Sequence, residues 1–404
     1  MPLLSSNPLW EEFGERALLF APVGGGDFGE CQVTVDRVGD DGTAEDWHRE
    51  WRATAERVRR IGEDCAAKGH RRSAHEAFLR ASTYHRVSYF PLYGAPTDPR
   101  LAEAFDDETS AFTAAAPLAP WPIEPLEIVT DAGTFPGWFA RPDDSDTPRP
   151  TVLQTNGLDS TIHEMFLSHG PAALSRGYNW IGFDGPGQGR VLIRDGLPMR
   201  PDWETVVTPV VDHVQTLSGV DPDRIALVGW SFGGFLAPRA AGVEHRIAAL
   251  VADPGQWDMR EAIVARLPLT DAQKAAFPDI DPHALDPMET WLREQADAST
   301  RWRMLQRGPW VAGTATFFDY LVDQLRYEVS SVAGDIACPT LLTQGLDDRI
   351  ADGAPRLRDA LRVPVELVPF TADEGAGDHC EMRARSLYHQ RVFDWLDETL
   401  GHRS

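Results

Sequence analysis

The chain has 404 residues, of which 42% are hydrophobic and 25% are charged. These values are ordinary for a globular protein and exclude a wholly disordered chain. Acidic residues outnumber basic residues by 62 to 38, and the net charge of −24 would repel nucleic-acid phosphates and anionic lipids. We therefore expect no nucleic-acid partner and no membrane partner. Single cores stop growing at roughly 250–300 residues, so the length predicts a core with an appendage.

The cysteines and the N-terminal residues indicate the compartment. The four cysteines form no Cys-x-x-Cys pair, and no motif has the spacing of metal ligands. Residues 1–20 lack the basic start of a signal peptide, and no apolar run approaches the roughly 20 residues that span a bilayer. We expect a cytoplasmic protein with reduced thiols and no metal.

The first predicted elements are helices. Residues 1–42 have few periodic apolar positions, so we expect an irregular start with one short helix near residues 10–19. Between residues 44 and 65, apolar side chains recur at helical spacing and predict a long helix.

A second helix is predicted to begin at Ser73, because Ser73 and Glu76 have the spacing of a capping box, and to end before Pro91. The two helices would form a hairpin. Tyr84 and His85 lie on the apolar face of the second helix and are candidates for substrate binding. Aromatic residues in such positions more often belong to a core.

Prolines between residues 96 and 125 predict a connector, with a domain boundary near residue 120. Residues 126–129 and 137–140 then predict a hairpin of two strands. Six further strand signals follow, at residues 151–154, 180–183, 225–228, 247–251, 340–343 and 365–368. Helical stretches lie between most of them, including residues 203–217 and 356–361, and a last one covers 383–400. This alternation predicts a parallel sheet covered by helices on both faces.

The longest interval between strand signals, residues 254–337, is rich in aromatic residues. Excess length between two core strands predicts an inserted helical cap that would exclude water and shape an aromatic-lined pocket. The expected domains are an N-terminal helical cap segment at residues 1–120, a core at 121–255 and 336–404, and an inserted helical lid at 256–335.

The strand at residues 225–228 leads into Gly229-Trp230-Ser231-Phe232-Gly233, and a helical stretch follows. A Gly-x-Ser-x-Gly turn between a strand and a helix is the nucleophile elbow of an α/β-hydrolase, in which the glycines leave room for the sharp turn. We therefore expect an α/β-hydrolase fold, with a mostly parallel sheet flanked by helices. Ser231 is the predicted nucleophile, the Phe232 amide a predicted oxyanion donor, and Trp230 a candidate substrate contact.

A nucleophilic serine needs a histidine base and a carboxylate that orients the histidine, and in this fold the chain order is serine, acid, histidine. Asp348 follows a predicted strand and a glycine and is the predicted acid, with Asp347 and Asp253 as alternatives. His379 is the only histidine in the loop after the last predicted strand and is the predicted base.

The second oxyanion donor should come from the loop after the first parallel strand. In that loop Gly157 permits a tight turn, and Leu158 can direct its amide inward. The glycine-rich segment 184–189 superficially suggests a phosphate-binding loop. It lacks the lysine and the hydroxyl residue of that motif, which favours a structural turn.

These segments together resemble the branch of α/β-hydrolases that includes 2,6-dihydroxypseudooxynicotine hydrolase and the fungal hydrolases that shorten polyketide chains. The matching segments are residues 156–160, 184–189, 229–234, 345–348 and 374–380, and the likeness extends from about residue 45 onward. The resemblance implies hydrolytic cleavage of a carbon–carbon bond beside a ketone, with Ser231, Asp348 and His379 as the triad.

The expected function is serine-dependent hydrolysis of a small apolar or aromatic carbonyl compound, without a cofactor. The alternatives are a carboxylesterase, a thioesterase or acyl transferase acting on a hydrophobic secondary metabolite, a peptidase, and a non-catalytic binding protein on a hydrolase scaffold. A decayed scaffold usually loses a triad member, and every member has a candidate here. The sequence leaves a homodimer open.

Overall fold

The computed structural model describes residues 2–402. Its strands are β1 (Ile123–Thr130), β2 (Gly133–Ala140), β3 (Arg149–Thr155), β4 (Asn179–Phe183), β5 (Val220–Trp230), β6 (Ala249–Asp253), β7 (Thr340–Gly345) and β8 (Val365–Phe370). Its α-helices are α1 (Pro8–Leu18), α2 (Phe28–Val38), α3 (Ala44–Ala67), α4 (Arg71–Ser88), α5 (Pro99–Ala115), α6 (Ile162–Leu174), α7 (Gly189–Ile193), α8 (Glu204–Val214), α9 (Gly233–Ala241), α10 (Met259–Val264), α11 (Asp271–Ala276), α12 (Asp286–Glu294), α13 (Ala298–Trp302), α14 (Gly308–Ala312), α15 (Phe317–Gln324), α16 (Ala354–Ala360) and α17 (Arg385–Leu400). Among residues 2–402, no helix combines the length and the hydropathy needed to cross a bilayer.

The strands form one sheet in the order β1-β2-β4-β3-β5-β6-β7-β8. Strand β2 pairs antiparallel with β4, and each neighbouring pair from β4 to β8 is parallel. Every residue of β4 and β6 is buried, as expected for parallel strands covered on both faces. The predicted fold class is confirmed. The carboxyl ends of the parallel strands lie at one edge of the sheet, which is where sites form in α/β proteins.

The chain divides into two compact units. The helical unit consists of the described part of residues 1–123 with residues 193–196 and 286–317, and the sheet unit consists of the remaining described residues. The sequence-based boundaries treat residues 256–335 as a single insert. In the structure, residues 286–317 belong to the helical unit and the rest of that segment to the sheet unit.

An aromatic cluster forms the core of the helical unit. The rings of Trp10 and Trp47 stack with their centroids 4.8 Å apart, and Phe13 meets Trp302 edge-on at 4.7 Å. The indole N–H of Trp302 donates to the main-chain oxygen of Phe90 at 2.9 Å. These contacts attach α13 to the N-terminal helices, although more than 200 residues of chain separate Trp302 from Phe90.

The predicted start of α4 is wrong. The helix begins at Arg71, two residues before the predicted start at Ser73, and its N-cap residue His70 makes no side-chain capping bond. Ser73 and Glu76 therefore lie inside the helix. Their capping-box spacing is a local pattern that the helix does not use as its start.

Two helices lie where the sequence predicted irregular chain. Helix α2 lies within residues 1–42 and is capped by Asp27, whose side chain accepts from two amides of the first turn. Helix α5 lies within the predicted connector, with Asp98 as its cap and Pro99 in its first turn. Proline is tolerated at this position because the missing N–H would have no helical partner there. Proline-rich composition was therefore a misleading sign of a connector.

Candidate active site

Ser231 lies in the turn between β5 and α9, with a φ of 56° that residues other than glycine rarely adopt. A Cβ atom on Gly229 would lie 2.0 Å from the main-chain oxygen of Gly233, so position 229 admits only glycine. The amide of Ser231 donates to the main-chain oxygen of Asp253, at the end of β6, with a distance of 2.6 Å. The turn holds the serine at the carboxyl edge of the sheet.

A chain of hydrogen bonds joins the three residues that the sequence singled out. The Ser231 Oγ atom lies 2.8 Å from Nε2 of His379, and Nδ1 of His379 lies 2.6 Å from Oδ2 of Asp348. The second carboxylate oxygen of Asp348 accepts from the amide of Ile350 at 2.9 Å. With Nδ1–H donating to the carboxylate, Nε2 is free to accept the serine proton.

The two alternative carboxylates have other surroundings. Asp347 is exposed, and its amide donates to the main-chain oxygen of Gly377 at 2.9 Å. Asp253 is fully buried, where its carboxylate accepts from Thr343 Oγ1 at 2.9 Å and pairs with Arg385 Nη1 at 3.2 Å. Asp348 is thus the carboxylate that contacts His379.

The loop after β3 lies against the nucleophile. A Cβ atom on Gly157 would lie 2.9 Å from the Cβ of Ser231. The side-chain amide of Gln188 donates to the main-chain oxygens of Asn156 and Gly157 at 2.9 and 3.2 Å. Asp184 accepts from the Asn156 side chain at 2.9 Å. The glycine-rich turn 184–189 therefore fastens the loop that carries the predicted oxyanion donors, a connection that sequence reasoning missed.

Two family models match the chain. Residues 155–394 match the alpha/beta hydrolase family, and residues 38–257 match a family described as Esterase FrsA-like. The chain belongs to the α/β-hydrolase family. This agrees with the sheet topology and with the elbow at Ser231.

Full-length relatives of this α/β-hydrolase are themselves hydrolases, which identifies the protein as a hydrolase. It is 32% identical to hydrolase acrC of Aspergillus aculeatus, over 95% of this chain and 94% of the relative. It is 33% identical to 20-hydroxy-prefusarin hydrolase of Gibberella moniliformis, over 96% and 95% of the two chains. The solved structure of 2,6-dihydroxy-pseudo-oxynicotine hydrolase is similar with a TM-score of 0.74 and 25% identity, over 96% of this chain and 97% of that one. The resemblance expected from the motifs is confirmed.

The other residues predicted around the nucleophile of this α/β-hydrolase lie as follows. Phe232 directly precedes α9, and its ring contacts that of Tyr327 at 5.0 Å. Leu158 is half-buried. The Trp230 ring is buried and packs against His169 at 6.4 Å, with the guanidinium of Arg385 5.9 Å from its centroid. The oxyanion roles of Phe232, Gly157 and Leu158 and the substrate contact of Trp230 stay predictions.

Tyr84 and His85 lie inside the helical unit. The Tyr84 hydroxyl accepts from the amide of Asp27 at 2.9 Å and donates to the Glu30 carboxylate at 2.8 Å. Burial, followed by the positive charge of Arg52, lowers the pKa of His85 to about 3, so the ring is neutral at ordinary pH. Both side chains are buried in the core of their unit, and their role in substrate binding stays a prediction.

Gln256 is a further residue that sequence reasoning missed. Its side-chain amide donates to the main-chain oxygen of Ser231 at 2.7 Å, and the side chain is buried. This bond fixes the carbonyl side of the elbow, as the bond to Asp253 fixes its amide side. Because the bonded residues are 25 positions apart and no motif surrounds Gln256, the sequence carried no local signal of this role.

Cys380, next to the predicted base, is buried and packed. Its thiol is buried and lies 3.6 Å from the main-chain oxygen of Asp253. Burial, followed by the negative charge of Asp253, raises the pKa of the Cys380 thiol well above its usual value. The protonated thiol acts as a small packed group, since the thiolate is the reactive form.

An open groove of about 580 Å³ lies on the surface of the sheet unit. It is lined by Asp131, Ala132, Arg200, Glu204, Thr205, Thr208, Pro209 and Val243. None of the predicted catalytic residues contributes to it.

Proposed function

We propose that this α/β-hydrolase cleaves a carbon–carbon bond next to a ketone, in a 1,3-diketone or polyketide-like substrate, with Ser231, His379 and Asp348 as its catalytic triad. The observation that carries the proposal is the pair of contacts made by His379, 2.8 Å to the serine oxygen and 2.6 Å to the Asp348 carboxylate. A serine hydroxyl becomes a useful nucleophile when a base held in this way removes its proton.

The first half of the reaction would form an acyl-enzyme. His379 Nε2 takes the proton of Ser231 as Oγ bonds to one ketone carbon, and the carbonyl oxygen becomes an oxyanion. The amides of Phe232 and of Gly157 or Leu158 are the donors that would stabilise this charge. The imidazolium that results is stabilised by the Asp348 carboxylate.

The second half depends on the leaving group. When the oxyanion collapses, the carbon–carbon bond breaks and its electron pair moves onto the departing carbon, where the second ketone stabilises it as an enolate. The Nε2–H of His379 supplies the proton that this carbon needs. Water then hydrolyses the acyl-enzyme, with His379 as its base, and restores the free serine.

The relatives support this bond type over others. Two of them are named for hydrolysis of 20-hydroxy-prefusarin and of 2,6-dihydroxy-pseudo-oxynicotine, and the motifs shared with that branch imply cleavage beside a ketone. Hydrolysis of an ester or thioester by the same residues is the second candidate, favoured by the match of residues 38–257 to the Esterase FrsA-like family. An alkoxide or thiolate leaving group needs no second ketone.

The deciding experiment compares turnover of an aryl 1,3-diketone with turnover of a matched aryl ester, with the products identified by mass. We expect the diketone to give a carboxylic acid and a methyl or methylene ketone, and the Ser231→Ala variant to form neither. If the ester is hydrolysed orders of magnitude faster and the diketone is recovered intact, the carbon–carbon proposal is wrong and ester hydrolysis replaces it.

A further inference from the structure

The loop that carries His379 continues into an unusual turn. Cys380 and Glu381, the next two residues, have φ values of 56° and 48°, in the left-handed region that favours glycine. Residues other than glycine keep this backbone conformation only where the surrounding structure holds them. Neither residue is glycine, so contacts from elsewhere must hold the turn, and His379 lies at its beginning.

Asp253, at the end of β6, contacts this turn directly and through Arg385. Its main-chain oxygen accepts from the Ser231 amide at 2.6 Å and lies 3.6 Å from the Cys380 thiol. Its carboxylate pairs with Arg385 at 3.2 Å, and the same nitrogen of Arg385 donates to the main-chain oxygen of Cys380 at 2.9 Å. One residue is thus bonded to the turn of the nucleophile and, directly and through Arg385, to the turn of the base.

The Glu381 side chain is fully buried beside Asp253. Within residues 2–402 no group donates a hydrogen bond to either oxygen of Glu381, whereas the protonated carboxyl would itself be a donor that the neighbouring Asp253 could accept. Burial, followed by the negative charge of Asp253, raises the pKa of Glu381 to about 11. The other charged or titratable groups around it are Arg385 and Tyr388 of α17, Asp378 and Cys380 of its own loop, and, beyond Arg385, His169 of α6 and His389 of α17.

We propose that Glu381 is a positioning residue for His379: as a neutral acid it hydrogen-bonds to Asp253, so that Asp253 and Arg385 together hold the turn that follows the base. This proposal rests on the catalytic role given to Ser231 and His379 above. With Glu381 neutral, Asp253 and Arg385 balance each other's charge. An ionised Glu381 would add an uncompensated negative charge in the interior, repel Asp253 and compete for Arg385.

The variants Glu381→Gln and Glu381→Leu distinguish the hydrogen-bond donor of residue 381 from the volume of its side chain. Glutamine keeps a donor, whereas leucine fills a similar space without one. The readout is the rate at which a fluorophosphonate probe labels Ser231, which needs no knowledge of the natural substrate. Because a misplaced base costs rate, we expect the leucine variant to be labelled roughly 10–100-fold more slowly and the glutamine variant at most about threefold more slowly. Asp373→Asn, an exposed carboxyl-to-amide change in the same loop, is the control and should not change the rate. Equal rates in the leucine and glutamine variants would overturn the proposal.

A second measurement tests whether Glu381 is neutral, and it decides alone if the leucine variant does not fold. In the unfolded chain Glu381 ionises near its ordinary pKa of 4.5, whereas burial, followed by the negative charge of Asp253, raises the pKa in the folded protein. The unfolded state therefore binds fewer protons between the two pKa values, and the wild type loses stability as the pH rises through this interval. Glutamine does not titrate, so the Tm of Glu381→Gln minus that of the wild type should grow from about pH 5 to about pH 9. A constant difference would mean an ionised Glu381 and would contradict the proposal.

The same labelling experiment separates the two proposals. Labelling of the wild type but not of Ser231→Ala supports the proposed role of Ser231 as nucleophile, whatever the Glu381 variants do. A folded wild-type protein that the probe does not label would contradict the proposed function and, with it, any positioning role of Glu381.

Discussion

The turn of the proposed nucleophile and the turn after the proposed base share a left-handed backbone but are held in different ways. At Ser231 the room for the turn is made locally, because Gly229 leaves space for the main-chain oxygen of Gly233, four residues later, and Asp253 and Gln256 then bond to the Ser231 main chain. After His379 no glycine occupies the left-handed positions, and the turn is fixed by Asp253 and Arg385, which come from another strand and from the last helix. A strained turn that depends on glycine spacing can be predicted from the sequence. A strained turn that is held by buried charges from other elements cannot.

The largest effect is expected at the nucleophile. Ser231→Ala should lower kcat/KM by roughly 10⁴–10⁶-fold with the fold intact, because the members of a triad act as a unit and only binding and the oxyanion donors remain. The measurement is turnover of an aryl ester or diketone, with circular dichroism to verify folding. Ser218→Ala, an exposed serine bonded to Asp146, is the control and should behave as wild type. Full activity in the Ser231→Ala variant would contradict the proposed mechanism.

The next largest effect is expected at the triad acid, where substitutions test which carboxylate orients His379. Asp348→Asn should lower kcat by roughly 10³–10⁴-fold, because an amide in place of the carboxylate favours the wrong histidine tautomer and no longer stabilises the imidazolium. The matched variant Asp347→Asn, at an exposed neighbour, should lose less than about threefold. A larger loss at Asp347 would move the acid and leave the fold unaffected.

The sheet and the three residues in contact could be predicted because their signals are local. Each predicted strand overlaps an observed strand, since buried parallel strands are short apolar runs bounded by turns. Ser231 was identified by its glycines, and Asp348 and His379 by their places after successive strands. Element order along the chain thus carries most of the information on these three positions.

The rest depended on contacts between distant residues. Gln188 lies 31 residues from Gly157, whose loop it fastens, and Trp302 lies 212 residues from Phe90. The predicted substrate contact at Tyr84 came from a helical pattern that does not distinguish a pocket from a core, and the side chain is buried against Glu30. Helix α2 could not be predicted from apolar periodicity, because its start depends on the Asp27 cap and not on a long apolar repeat.

The constraint that Gly229 places on the elbow can be tested on its own. Gly229→Ala would place a Cβ atom 2.0 Å from the main-chain oxygen of Gly233, and backbone cannot give way cheaply there. We expect a loss of at least about 3 kcal/mol in the free energy of unfolding, or no folded protein, measured by urea denaturation. Gly29→Ala in α2 is the control, because its nearest neighbour is a side-chain oxygen at 3.5 Å. Alanine favours a helix by about 1 kcal/mol over glycine, so this variant should be unchanged or slightly more stable. A stable Gly229→Ala protein would show that the elbow does not depend on glycine at this position.

The smallest expected effect concerns the helix that carries Arg385. His389 of that helix donates from Nε2 to the main-chain oxygen of Ser168 at 2.8 Å, and burial, followed by the charge of Arg385, lowers its pKa to about 3. In the unfolded chain the ring takes up a proton near pH 6.5, so the unfolded state binds more protons and stability is lost as the pH falls from 6.5 towards 3.

His389→Gln keeps an amide donor for the Ser168 carbonyl and cannot titrate. The change in the free energy of unfolding between about pH 7 and pH 5 should therefore shrink by about 2 kcal/mol relative to the wild type, as measured by urea denaturation at both values. His245→Gln, at an exposed histidine, should leave that change as it is. If both variants keep the wild-type pH dependence, His389 is not a neutral buried ring. Helix α17 would then be more accessible to water than the elbow. The difference between the turn at Ser231, which depends on glycine, and the turn after His379, which depends on buried charges, would be smaller.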